Sequence, residues 1–447
     1  MTDLNKIDTI VIVMMENRSF DHMLGYLSLP DYGRTDVEGL RLKPESTPAA
    51  PVWYPEYVVP GPYTPFRMPD PKAPLPNKMD PPHERRPYIE KQLGVPDSDG
   101  IYPMNGFVQS YDGKIPVGDG DQPVVMGYFT GEDLPTTHFF AENFLICDHW
   151  FSAIPAGTQP NRLMAMSGQT RIDMNVNKPP LPDQYLVYHW LRDHGVRWRI
   201  YAESLPFFAL MPSQWPLVSG NLQFFSHLAH DIVHESDATF PQVIFVEPRY
   251  TNAPHVESPH DDHAPSAVDG GQRFLMEIYA ALTANPDRWN KSVMIVTYDE
   301  HGGFFDHISP PHIESADPDG VYPTYKSLGV RVPGYVISPF VEKRTAYHET
   351  MDHTSILKFL GEKFNGGSYS AAVDARVDLG LDSVSDTLTL NEARVDIPNP
   401  PATTEGFTTE AIPFDAMSQA FAGALQELKD NHPADIAKLF PKLFTHF

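Results

Sequence analysis

Thr9-Ile-Val-Ile-Val-Met-Met15 is a block of apolar and β-branched residues with no alternation. A strand with one wet face alternates. An unbroken block reads as a strand covered on both faces, as in a parallel sheet. Similar blocks recur at 243–246, Ser292–Tyr298 and 332–337. Helical spacing occupies 267–282 and Thr354–Phe364. The alternation predicts an α/β fold, with a central, mostly parallel sheet flanked by helices. Such sheets take their ligands beyond the carboxyl ends of the strands. The polar residues just after 15 and 298 are therefore the first candidates for chemistry.

Residues 41–90 hold 14 of the 46 prolines. Proline supplies no backbone donor and fits neither helix interiors nor central strands, so this is a long insertion rather than regular structure. The expected organisation is one domain over 1–365 carrying that insertion, followed by 366–447 as an acidic excursion and a helix. Phe414, Met417, Phe421, Leu425 and Leu428 step by three and four, which gives that helix an apolar face to pack on the core.

Thirty-three Lys+Arg stand against 58 Asp+Glu, a formal charge of −25. Such a surface repels polyphosphates, which argues against a nucleic-acid partner, and does not draw the chain to anionic lipid. A single cysteine, Cys147, excludes a disulfide framework and a cysteine zinc site. No apolar run reaches the roughly 18–20 residues of a membrane helix. The first apolar run leads into Glu16-Asn17-Arg18 without a small-residue cleavage site. With no export signal visible, the expectation is a cytoplasmic protein, or a secreted one whose leader has been removed.

Glu16-Asn17 and Asp299-Glu300 each follow a predicted strand. Carboxylate and amide oxygens are hard ligands, and two such pairs at the ends of strands in one sheet suit one shared divalent cation. His301-Gly-Gly303 and Asp306-His307 come next. Gly157-Thr-Gln-Pro-Asn-Arg162 reads as a helix start, with Thr158 as N-cap, Pro160 in the first turn and Gly168 at the exit. A hydroxyl at a helix N-terminus near Arg162 suits a phosphate, or a nucleophile that attacks one. In His260-Asp-Asp-His263, a histidine near a metal can hold phosphate oxygens or protonate a leaving alkoxide.

These segments together resemble the phosphoesterase family that contains phosphatidylcholine-type, non-specific phospholipases C and related acid phosphatases. The boxes lie at 16–22, 158–162, 261–265 and 299–307, in the family's order, and the resemblance spans about 15 to 360. It implies an alkaline-phosphatase-like α/β core. Glu16, Asn17, Asp299 and Glu300 would bind a divalent metal, with Ca, Mg or Mn favoured over Zn. Thr158 would be the nucleophile and His263 the phosphate contact or general acid. His83, in Asp80-Pro-Pro-His83, would be a further phosphate-facing histidine. Asn161 and Arg162 would bind substrate, and Asp306, His307 and His353 would surround the site. Ala264 departs from the proline common among relatives. The Thr-x-Pro-x-Arg spacing is also similar to the sulfatase box, but a sulfatase needs Cys or Ser at position 158.

The resemblance implies a metal-dependent phosphoester hydrolase of phospholipase C type, working through a phosphothreonine. The alternatives are an acid phosphatase on monoesters and a non-catalytic metal or lipid binder. A phospholipid or small phosphoester would be its partner, with peripheral membrane contact compatible. The oligomeric state is left open.

Overall fold

The computed structural model describes residues 2–47, 50–69, 80–118, 120–178, 181–254, 258–314, 321–377, 379–401 and 416–440. Ten strands occur in chain order: β1 (Thr9–Met15), β2 (Phe66–Arg67), β3 (Gly127–Tyr128), β4 (Leu145–Cys147), β5 (Trp198–Ala202), β6 (Leu222–Phe224), β7 (Val243–Glu247), β8 (Ser292–Tyr298), β9 (Gly334–Ile337) and β10 (Thr345–Tyr347). β2 and β3 pair as a small ribbon. The other eight form one sheet in the order β10-β4-β9-β8-β1-β7-β5-β6. Every strand of that sheet runs the same way except β9, which is antiparallel to β4 and β8.

The central strands are those the apolar blocks predicted. β8 is buried at every position, and β1 at all but one. The reversal of β9 has a topological cause. The chain leaves β8 at its carboxyl end, has no helix among the described residues before β9, and runs back beside β8. Four strands of three to five residues in this sheet escaped the sequence pattern (β4, β5, β6, β10), being too short to show a period.

Helices Asp269–Thr283 and Thr354–Phe364 form where their spacing predicts. In the C-terminal helix Ala416–Asn431, Met417, Phe421, Leu425 and Leu428 are all buried, while Phe414 lies outside the described residues. The described part of the proline-rich stretch buries Trp53, Tyr57 and Val59, and Tyr57 donates its hydroxyl to the Gly39 carbonyl at 2.9 Å. No described helix is long and apolar enough to cross a membrane.

Asp306 and His307 depart from their expected place around the metal residues. They join a separate buried cluster built on Arg331. Its guanidinium meets Asp306 and Asp21 at 3.1 Å each and donates to the carbonyls of Glu38 at 2.7 Å and Asp148 at 2.9 Å. His307 Nδ1 lies 2.7 Å from Asp21. This knot ties the loop after β8 to the turn after β1 and to the end of β4. Removing one partner of a buried charge cluster strands the others. Arg331→Ala should therefore cost about 3–5 kcal/mol, read as a lower midpoint in urea unfolding; a midpoint within error of the wild type would contradict this role.

Candidate active site

Parallel register brings the two acidic pairs together. Met15 of β1 stands beside Tyr298 of β8, so Glu16-Asn17 and Asp299-Glu300 leave the sheet side by side. Asp299 N–H donates to the Met15 carbonyl at 3.1 Å, and Asn17 N–H to Asp299 Oδ1 at 3.1 Å. Asn17 adopts φ 60°, a left-handed conformation that asparagine tolerates better than most residues. The close approach also requires Gly302, where a Cβ would fall 2.1 Å from the Asn17 carbonyl oxygen.

All four residues are at most 1% exposed. Arg162 reaches between them, with Nε 3.1 Å from Asp299 and Nη2 3.2 Å from Glu16. It also donates to Tyr250 Oη at 2.8 Å and to the Met14 and Met15 carbonyls at 3.3 Å. Its donors are thus directed at the sheet's own carboxylates and carbonyls. That places Arg162 beneath the acids, not toward a bound anion as the sequence suggested. Asn161 likewise spends its amide on the carbonyls of Ile154, Ala156 and Gly157.

Burial pushes the carboxyls of Glu16 and Glu300 well above the usual range, and neighbouring carboxylates add to it. Among the described residues, Glu300 has only histidines within ion-pair range, His301 at 3.2 Å and His83 at 4.0 Å. With its oxygen turned inward, the Asn17 amide faces Glu300 Oε1 at 2.8 Å and Asp299 Oδ1 at 3.3 Å. Thr158 Oγ1 is 3.4 Å from the same Asn17 oxygen. Oxygens converging on oxygens repel unless a cation sits among them. The opposite amide orientation relieves this by donating to both carboxylates, and describes the metal-free site. His263 favours the first orientation. Its Nδ1 bonds the Ala264 carbonyl, which leaves a lone pair on Nε2 for an Asn17 amide hydrogen. The donor set of carboxylates, an amide oxygen and a hydroxyl fits a hard divalent cation.

Thr158 opens the helix Thr158–Ser167, and Gly157 is the N-cap, which corrects the capping role expected of Thr158. The cap comes from a distant side chain: Asn175 Oδ1 accepts from Gln159 N–H at 2.8 Å. With capping done elsewhere, the Thr158 hydroxyl is free to face the oxygen cluster. Gly168 ends the helix with φ 79°, the left-handed exit expected of glycine.

The His263 loop is held from both sides. Asp261 accepts from His263 N–H at 3.1 Å and the Thr251 hydroxyl at 2.7 Å, and Arg18 Nε donates to the Asp262 carbonyl at 2.7 Å. His263 Nε2 then lies 4.0 Å from Glu16, and its ring is 5.9 Å from that of His83. Burial opposes the charged form of His83, but Asp80 and Glu300 outweigh it and push the imidazole up to about 9. His353 donates from Nε2 to the Asp299 carbonyl at 2.7 Å and accepts from Trp150 at 3.3 Å, so it fixes the backbone of the second acidic pair. Sequence reasoning missed Tyr250 and Asn175. Each lies outside the matched boxes and has no pattern of its own to mark it.

Residues 7–365 match the Phosphoesterase family. Non-specific phospholipase C3 of Arabidopsis thaliana is 34% identical over 395 residues, 81% of this chain and 70% of that protein. Non-specific phospholipase C1 of the same plant is 33% identical over 387 residues, 80% and 67% of the two chains. Phospholipase C B of Mycobacterium tuberculosis is 29% identical over 419 residues, 81% and 74%. Among solved structures, murine ectonucleotide pyrophosphatase/phosphodiesterase 5 is similar with a TM-score of 0.36 and 13% identity, over 57% of this chain and 95% of that one.

Arg162→Met leaves Glu16 and Asp299 buried without their cation. In chelated protein it should lower stability by about 3–5 kcal/mol, and added divalent ion should restore part of the loss by binding only the folded state. Urea midpoints with and without ion measure both effects. A variant as stable as the wild type under chelation would contradict the role given to Arg162.

Proposed function

Because this chain belongs to the phosphoesterase family, we propose that it cleaves a phosphodiester of the phospholipid kind, releasing the phosphorylated headgroup, with Thr158 as nucleophile. It is a hydrolase of phosphoric esters of the phospholipase C type, as its relatives are named. The observation that carries the proposed chemistry is the Thr158 hydroxyl, 3.4 Å from Asn17 Oδ1 at a helix N-terminus and uncommitted to capping.

Asn17, Asp299 and Glu300 would hold a divalent cation, with Glu16 beside them on Arg162. Such a cation lowers the pKa of a nearby hydroxyl and neutralises charge on phosphate oxygens. Calcium, magnesium and manganese suit the all-oxygen set better than zinc. Thr158 Oγ1 attacks phosphorus in line: the Oγ1–P bond forms, and the bond from phosphorus to the lipid glycerol oxygen breaks. His263, with Nε2 protonated as well as Nδ1 and the Asn17 amide no longer donating to it, is the general acid that gives the leaving alkoxide its proton, while the proton of the Thr158 hydroxyl passes to solvent. His83, on the opposite wall, steadies the phosphate oxygens. Water then attacks the phosphothreonine and returns the hydroxyl. The helix start contributes its amide dipoles without reorganisation at the moment of reaction.

Monoesters fit the same residues, so the test uses p-nitrophenylphosphorylcholine and p-nitrophenyl phosphate side by side. Chelation should abolish turnover of the diester, and add-back should restore it. Thr158→Ala should lose about a thousandfold or more in kcat with metal binding retained, whereas Thr158→Ser should keep substantial activity. Thr158→Ala turning over at the wild-type rate would remove covalent catalysis. A marked preference for the monoester would make the enzyme an acid phosphatase.

A further inference from the structure

The reaction above needs His263 at a set distance from acids carried by two other segments. Its own hydrogen bonds are local: Nδ1 bonds the Ala264 carbonyl, and its N–H donates to Asp261. The residue between Asp261 and His263 makes the longer connections. Asp262 is 1% exposed. Its Oδ2 accepts from the Tyr298 hydroxyl at 2.7 Å, and its carbonyl accepts from Arg18 Nε at 2.7 Å. Tyr298 immediately precedes Asp299, and Arg18 immediately follows Asn17. Asp262 therefore joins the His263 turn to the chain beside each acidic pair.

The surroundings admit this side chain and no larger one. Asp262 adopts φ 69°, a left-handed conformation that aspartate tolerates better than most residues. Gly271, in the helix Asp269–Thr283, leaves room for the carboxyl: a Cβ there would fall 2.0 Å from Asp262 Oδ1. Arg18 also donates to the Ser266 carbonyl at 3.3 Å, so it grips the turn on both sides of His263. Burial pushes the Asp262 carboxyl up to about 7, although the Tyr298 hydrogen bond and the Arg18 charge oppose this. An apolar side chain would fill the space without that cost. What the carboxyl adds is a directed hydrogen bond, which an apolar side chain cannot accept.

We propose that Asp262 is a positioning residue for the general acid: its carboxyl, bonded to Tyr298, and its carbonyl, bonded to Arg18, hold His263 Nε2 at its distance from the acidic pairs. This rests on the general-acid reading of His263. A misplacement of about 1 Å at a reacting group can cost about a hundredfold in rate, and here the loss falls on the step that needs the proton.

The test compares dibutyrylphosphatidylcholine, whose glycerol alkoxide needs a proton to leave, with p-nitrophenylphosphorylcholine, whose nitrophenolate does not. Asp262→Ala should lower kcat/KM for the first by about 10- to 100-fold and leave the second within about threefold. Asp262→Asn keeps an acceptor for Tyr298 and should restore most of the loss. Tyr298→Phe removes the same bond from the other side, and adding it to Asp262→Ala should bring no further loss. Equal losses on both esters would overturn the proposal, as would Asp262→Asn failing as badly as Asp262→Ala. His263→Ala, measured beside them, tests the reading beneath: if it slows both esters alike, His263 is not the general acid. Positioning is then read from the His263 ring itself, by nitrogen NMR of histidine-labelled protein. Asp262→Ala should move its ring-nitrogen signals and Asp262→Asn should not. Unmoved signals in Asp262→Ala would overturn the proposal whichever way the general-acid reading falls.

Discussion

Three carboxylates buried at the ends of two neighbouring strands repel one another, and packing alone cannot hold them. Each buried ion gives up several kcal/mol of hydration. Arg162 is the fixed cation placed among them, reaching Asp299 and Glu16 from the helix that also presents Thr158. It satisfies two acids and leaves Glu300 facing oxygens and histidines. The remaining imbalance is what the proposed divalent ion and phosphate would resolve. That one guanidinium ties the helix of Thr158 to the ends of β1 and β8.

Arg162 is in turn held from behind. Tyr250 accepts from it at 2.8 Å and donates to Glu247 at the end of β7. Phe421 of the C-terminal helix stacks on the Tyr250 ring at 5.6 Å, and Gln159, next to Thr158, donates to Met417 Sδ at 3.2 Å. A helix beyond the family-matched residues thereby braces the side chains that orient the acids. Arg18 and Arg331 do comparable work elsewhere on this edge, Arg18 tying loop carbonyls together and Arg331 tying loop carbonyls to two buried acids.

The sequence by itself determined the α/β class and the buried central strands, because an unbroken apolar block has few alternatives to a covered strand. It also singled out Glu16-Asn17, Thr158, His263 and Asp299-Glu300 as candidates for the chemistry, because they sit inside segments whose joint spacing is specific. What surrounds them was decided only in three dimensions. Arg162 turned from the anion to the acids because two buried carboxylates outbid a ligand site for its charge. Asp306 and His307 pair with Arg331 and Asp21 instead of surrounding the acidic pairs, because that buried charge cluster claims them. Thr158 lost its capping role to Asn175. These outcomes depend on which side chains meet across the fold. Buried charges choose their partners by distance and desolvation, and neither can be read from positions along the chain.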